Sequence, residues 1–175
     1  MKKLLPFFLM AFVSLFIYSC DNNDDVVVQP GTDTYPVAYD INNAVFTRNT
    51  DYEYVYNKQF TNALVESDMV LIYMHVGDTN NNSPIWKLLP YTIYTQNNDP
   101  IECSFDFSKF DFAIYINSTL NLTNNMSYVN GNNFRLVVIP ASTGQSAKAA
   151  APVDYKDYNS VIKYYNIDES KIKAL

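Results

Sequence analysis

Apolar and polar side chains alternate with a period of two over much of residues 39–140, the pattern of half-buried strands. The cleanest case is Ile101, Cys103, Phe105 and Phe107, which alternate with Glu102, Ser104 and Asp106. After a tight turn near Ser108-Lys109, Phe112, Ile114 and Ile116 repeat the alternation, so the two runs predict a β-hairpin. Tyr52 to Phe60 sets Tyr52, Tyr54 and Tyr56 on one face and Glu53, Val55 and Asn57 on the other. A turn at Asn49-Thr50-Asp51 separates it from a strand over Tyr39 to Thr47, which ends in Ala44-Val45-Phe46. Met69 to Val76 (MVLIYMHV) is apolar on both faces, as a central strand covered from both sides should be. Trp86–Leu89 and Tyr91–Thr95 flank Pro90, which suits a bend or an edge position. Asn117 to Asn133 is rich in Asn, Ser and Thr and predicts a surface excursion, and Phe134 to Pro140 (FRLVVIP) predicts a last buried strand.

Strands of this length, spaced by turn residues every 8–12 positions with no helix-length crossover between them, predict an antiparallel sandwich or barrel, and the sandwich is the expectation taken forward. The period changes at Asp154, where Tyr155, Tyr158, Val161, Ile162 and Tyr165 recur at helical spacing with Asp154 as the N-cap. A helix of ~13 residues is marginal alone, so its tyrosine face should dock on something apolar. Asp168-Glu169-Ser170 suggests one more short turn. The expected fold is therefore mainly β: a sandwich over 39–140, a linker over 141–153 and a C-terminal α-helix within 154–175. Residues 20–38 are polar and interrupted by Pro30, Gly31 and Pro36, and are expected to be a tether, with Val26-Val27-Val28 left out of the sheet.

The N-terminus supplies an address. Lys2 and Lys3 precede an apolar run of 15 residues, Leu4 to Tyr18, shorter than the ~20 a membrane span needs but suited to a signal peptide over 1–19. Ile17-Tyr18-Ser19-Cys20 resembles the lipobox of bacterial lipoproteins, with a branched apolar residue, a small residue and the cysteine that is acylated; Tyr18 is bulkier than usual. The acidic tract Asp21, Asp24 and Asp25 resembles the surface-export signal of Bacteroidota lipoproteins. The resemblance implies palmitate on Cys20 and a lipid-anchored place on the outer membrane, facing outward. The competing readings are a soluble secreted chain with Cys20 bridged to Cys103, or a retained N-terminal helix.

Charge narrows the partners. The chain carries 12 Lys+Arg against 18 Asp+Glu, a net charge of −6, and losing Lys2 and Lys3 makes it more acidic still. It has no basic cluster, so no nucleic-acid partner is expected, and adhesion to an anionic membrane would have to come from lipid. No cofactor motif occurs. His75 is the only histidine and lies in the most apolar strand, where a satisfied structural role outweighs a catalytic one. Cys103 is expected to be a buried, inert thiol. Asp78-Thr79-Asn80-Asn81-Asn82 imitates the start of a calcium loop, but Ser83 replaces the glycine and Leu89 the bidentate glutamate, so no metal site is expected. Glu53, Glu66, Asp68, Glu102, Asp106 and Asp111 are candidates for paired carboxylates, with Glu102 and Asp106 on one face of one strand. The better lead is aromatic: Tyr52, Tyr54, Tyr56, Tyr91, Tyr94, Tyr115, Tyr128 and Trp86 could stack on sugars or anchor a protein, although most should line the core.

Over about residues 1–25 and 39–166 the layout resembles small Bacteroidota surface lipoproteins of unknown function. The matching pieces are Glu66–Tyr73, Trp86–Pro90, Phe134–Ala141 and Tyr155–Tyr158. The chain lacks the collagen-like repeat some members carry, so the resemblance implies location and fold and no stalk or activity. The expectation is a non-enzymatic lipoprotein that binds a glycan or a protein or shapes the envelope. A small polysaccharide hydrolase using paired carboxylates is the alternative.

Overall fold

The computed structural model describes residues 36–140 and 153–175, and over these the alternating runs become ten strands in two five-stranded sheets. The first sheet contains β1 (Val37–Ile41), β4 (Met69–Asp78), β5 (Pro84–Leu88), β9 (Phe134–Ile139) and β10 (Lys173–Ala174), in the order β10-β1-β9-β4-β5. The second contains β2 (Thr47–Arg48), β3 (Glu53–Gln59), β6 (Tyr91–Tyr94), β7 (Pro100–Phe107) and β8 (Asp111–Ser118), in the order β2-β3-β8-β7-β6. All pairings are antiparallel except that of β1 with β10. This is the mainly-β sandwich with a C-terminal helix that the strand spacing predicts.

Alternation explains the layering. Val70, Ile72 and Met74 of β4 point inward with Phe134, Leu136 and Val138 of β9. They meet Tyr54, Ile101, Cys103, Phe112, Ile114 and Ile116 from the second sheet. The intervening residues, Leu71 and Tyr73 of β4 with Val137 and Ile139 of β9, point outward and are buried by the helix α1 (Tyr158–Tyr164) through Tyr158 and Val161. β4 is thus covered from both sides, as its unbroken apolar run requires. Each such fully buried side chain contributes roughly 1.5–3 kcal/mol. Pro90 marks the crossing from the first sheet (β5) to the second (β6), between two edge strands where its missing N–H is not needed by a ladder. The Leu89–Pro90 peptide is cis, and the Leu89 N–H donates to the Ile72 carbonyl at 2.9 Å.

Four details differ from the sequence reading. The helix starts at Tyr158 with Asp157 as N-cap, accepting from the Asn159 N–H, whereas Asp154 accepts from the Lys156 N–H in a preceding turn. The hydroxyl of Tyr73 donates to the Tyr155 carbonyl at 2.8 Å, which ties that residue to the sheet ahead of the helix. The Asn-rich stretch before β9 is anchored as well as exposed: it folds into two 3₁₀ turns, Leu122–Asn124 and Met126–Tyr128, and Leu122 and Val129 are fully buried. β9 is not the last strand, because the chain returns after the turn at Glu169–Lys171 to lay β10 beside β1, and the Leu175 N–H donates to the Asp40 carbonyl. Finally, the strand expected over Tyr39 to Thr47 is two: β1 begins at Val37, two residues inside the expected tether, and ends at Ile41, while β2 (Thr47–Arg48) belongs to the other sheet.

The chain has only four glycines, and asparagine fills the left-handed backbone positions it needs: Asn43, Asn82, Asn98 and Asn166 all have φ between 50° and 67°. Glycine takes the other two positive-φ positions among the described residues: Gly131 at 77°, and Gly77 at 136° in the bulge where β4 shifts register against β5.

Candidate functional site

The outer faces of the two sheets are built differently. On the first, Arg135 of β9 lies in a pocket of partners with its side chain only 11% exposed. Its guanidinium donates to Asp40 of β1 through Nε at 2.6 Å and Nη2 at 3.0 Å, and to Glu169 at 2.9 Å, while its Nη1 also donates to the Tyr158 hydroxyl. The same group stacks 4.6 Å from the Trp86 ring centroid and 5.4 Å from that of Tyr158. Burial opposes the charge most strongly, but the hydrogen bonds to Asp40 and Tyr158 overcome it and raise the Arg135 pKa. Tyr158 donates to Glu169 at 2.7 Å, and its pKa is raised by burial first and by Glu169 next. The cluster clamps the C-terminal segment onto the sheet; the Arg135, Asp40, Tyr158 and Glu169 groups engage one another, while the buried Trp86 Nε1 has no hydrogen-bond partner among the described residues.

Among the described residues, no helix packs on the outer face of the second sheet. Register places Glu53, Val55 and Asn57 of β3, Ala113, Tyr115 and Asn117 of β8, Glu102, Ser104 and Asp106 of β7, and Thr92 and Tyr94 of β6 on it. The Tyr115 hydroxyl donates to Asp106 at 2.9 Å. That bond, then partial burial and the nearby charges of Asp106, Glu53 and Asp111, push the Tyr115 pKa up. Tyr94 is 61% exposed at the β6 edge. None of these outward positions holds a lysine or an arginine. The result is an open, acidic surface with two tyrosines standing on it.

A third feature lies at one end of the sandwich. The turn between β7 and β8 carries Phe107 and Phe110, 42% and 58% exposed, beside Val65 at 61%. The segment preceding β4 is braced on this turn, with the Phe60 N–H donating to the Phe110 carbonyl and the Leu64 N–H to the Lys109 carbonyl, both at 2.8 Å. Lys109 pairs with Glu66 at 2.8 Å and sits 5.2 Å above the Phe110 ring. These residues with Asp68 line a shallow hollow of about 390 Å³. Asp68 directly precedes β4, and Val70 of β4 pairs with Val138, which pairs in turn with Val37. The exposed phenylalanines and the start of β1 therefore share one end of the molecule. A second hollow, about 340 Å³, lies between Val37–Tyr39 and Asn166–Lys173.

The residues singled out in the sequence distribute unevenly. Cys20, Asp21, Asp24 and Asp25 lie outside the described residues. Cys103 is 2% exposed, and burial pushes its thiol up to about 12. The His75 ring meets Asp78 at 3.0 Å and packs 5.4 Å from Trp86. Asp78 is thereby engaged, and its loop closes on itself through Thr79–Ser83 and Asn82–Thr79 hydrogen bonds. Among the described residues no group of three or more His, Cys, Asp or Glu could hold a metal ion. Tyr54 is buried, Tyr56 packs against Phe46 and Phe112, and Trp86 belongs to the Arg135 clamp, while Tyr94 and Tyr115 face outward and Tyr52 is half exposed. Sequence reasoning missed Arg135, Tyr158 and Glu169 as a unit. A signal existed, since a lone arginine inside FRLVVI needs a buried counter-charge.

Among the described residues no helix is long and apolar enough to cross a membrane. Comparison with family models, with curated proteins and with solved structures gives no match for this chain.

Proposed function

We propose that this chain is a lipid-anchored, surface-displayed β-sandwich that acts by holding a partner, a glycan or a protein, rather than by turning a substrate over. The observation that carries the binding half is the asymmetry of the outer faces: one is covered by the helix and clamped by Arg135, the other presents Tyr115, Tyr94 and a row of carboxylates to solvent. Tyrosine offers a rigid apolar face and a polar edge, which suits both sugar stacking and protein contact. The anchoring half is supported by Lys2-Lys3, the apolar run and Ile17-Tyr18-Ser19-Cys20, and the export by Asp21, Asp24 and Asp25. Two acyl chains hold a protein to a bilayer stably where one does not.

The hydrolase alternative finds less support. Glu102 and Asp106 stand four residues apart along one strand, about 13 Å, against the roughly 5–9.5 Å across which a glycosidase pair works. Asp106 already accepts from Tyr115, and neither carboxylate lines either of the two hollows described above.

Screening the purified chain on glycan arrays beside glycosidase substrates tests this directly. Binding that disappears in Tyr115→Ala is expected; turnover that disappears in Glu102→Gln or Asp106→Asn would overturn it. For the anchor, Cys20→Ser should release the protein from the membrane fraction and abolish palmitate labelling.

A further inference from the structure

We propose that the tip formed by Val65, Phe107 and Phe110 is a second membrane contact, seated in the headgroup–acyl boundary of the bilayer that holds Cys20. The inference rests on the lipid-anchor reading above and adds an orientation to it. Three large apolar side chains stand 61%, 42% and 58% exposed on one end of the sandwich, around a hollow of about 390 Å³. Exposed apolar patches of this kind mark interaction surfaces. The patch cannot fold away, because the Phe60 and Leu64 N–H groups hold the preceding segment against the turn at both Phe110 and Lys109.

Position and chain length choose the occupant. β1 starts at Val37 on this same end, so only residues 21–36 separate the domain from Cys20. A chain that long reaches at most about 60 Å fully stretched, and roughly 25 Å as a flexible coil. Acylation of Cys20 would thus keep the tip within a domain's width of the lipid surface, where even a weak contact is favoured as an intramolecular event. A second copy is a poorer fit, since a stable dimer needs ~800 Å² from each partner, far more than three side chains around a shallow hollow supply. Charge then sets the kind of contact. Lys109 is paired with Glu66, while Asp68 and Asp111 stand beside the tip, so an anionic surface is not attractive and the contact is apolar.

The experiment uses the full chain, processed and acylated, carrying Phe110→Trp, in phosphatidylcholine vesicles with or without brominated acyl chains. The unsubstituted protein, with its single native Trp86, sets the baseline. The introduced indole should shift to shorter wavelength on vesicles and lose about half its emission to the bromines, with little salt dependence. Adding Phe107→Ser should weaken that quenching. Protein that sediments with vesicles while the indole emits as it does in water overturns the tip contact and leaves the anchor standing. Protein that does not sediment removes the anchor and the tip contact together. An indole already shielded in the Cys20→Ser chain free in solution shows the tip covered by another copy or by Val26-Val27-Val28, and also overturns the proposal.

Discussion

The two outer faces of this sandwich start from the same material, five strands of alternating side chains, and reach opposite ends. On the first sheet the outward positions of β4 and β9 are apolar (Leu71, Tyr73, Val137, Ile139), and burying them calls for the helix. On the second sheet the outward positions of β7 and β8 are Glu102, Ser104, Asp106, Ala113, Tyr115 and Asn117, which water can solvate as they stand. The arginine makes the difference sharper. Arg135 is a charge placed where a covered face would otherwise be dry, and the molecule surrounds it with Asp40, Glu169, Tyr158 and the Trp86 ring. The carboxylates opposite have no such enclosure. A face whose groups satisfy one another is structure; a face whose groups look to solvent is free to meet something else.

The comparison can be broken at three levels of effect. Val161→Asp puts an unpaired charge at a fully buried point of the helix–sheet contact and should cost about 4 kcal/mol or more, read as a large drop in the urea midpoint. Arg135→Ala strands Asp40 and Glu169 without their partner and removes the stack on Trp86, for an expected loss of about 3 kcal/mol in the same assay. Tyr115→Phe removes a hydroxyl from the open face and should leave stability within about 0.5 kcal/mol. Were the last change to cost as much as the second, the open face would be structural too, and the distinction drawn between the sheets would fail.

Alternation made most of the sandwich legible before any coordinates. Met69–Val76 announces a doubly covered strand, and Ile101–Phe107 with Phe112–Ile116 announces a hairpin, because a period of two reports which face is wet. What stayed hidden needed three dimensions. β10 is two residues long and pairs by closing the chain on β1, so no local pattern betrays it. Leu122 and Val129 sit among asparagines, and their burial depends on which way two short turns point. Two aspartates compete to cap the helix, and the winner is chosen by where Tyr158 and Val161 meet the sheet. At the candidate site the sequence offers the tyrosines only as a group, and register alone separates the outward Tyr115 and Tyr94 from the buried Tyr54.

β1 is gripped on both sides, by β9 along its whole length and by β10 at Tyr39 and Asp40. A pull directed along the β1 axis through the residues ahead of Val37 loads this strand in shear. It must slide past β9 with all five paired positions breaking together, instead of peeling away one rung at a time. Such a joint fails at a rate set by the barrier to that concerted slip. Mechanically, the molecule is stitched at the point where it would be tugged.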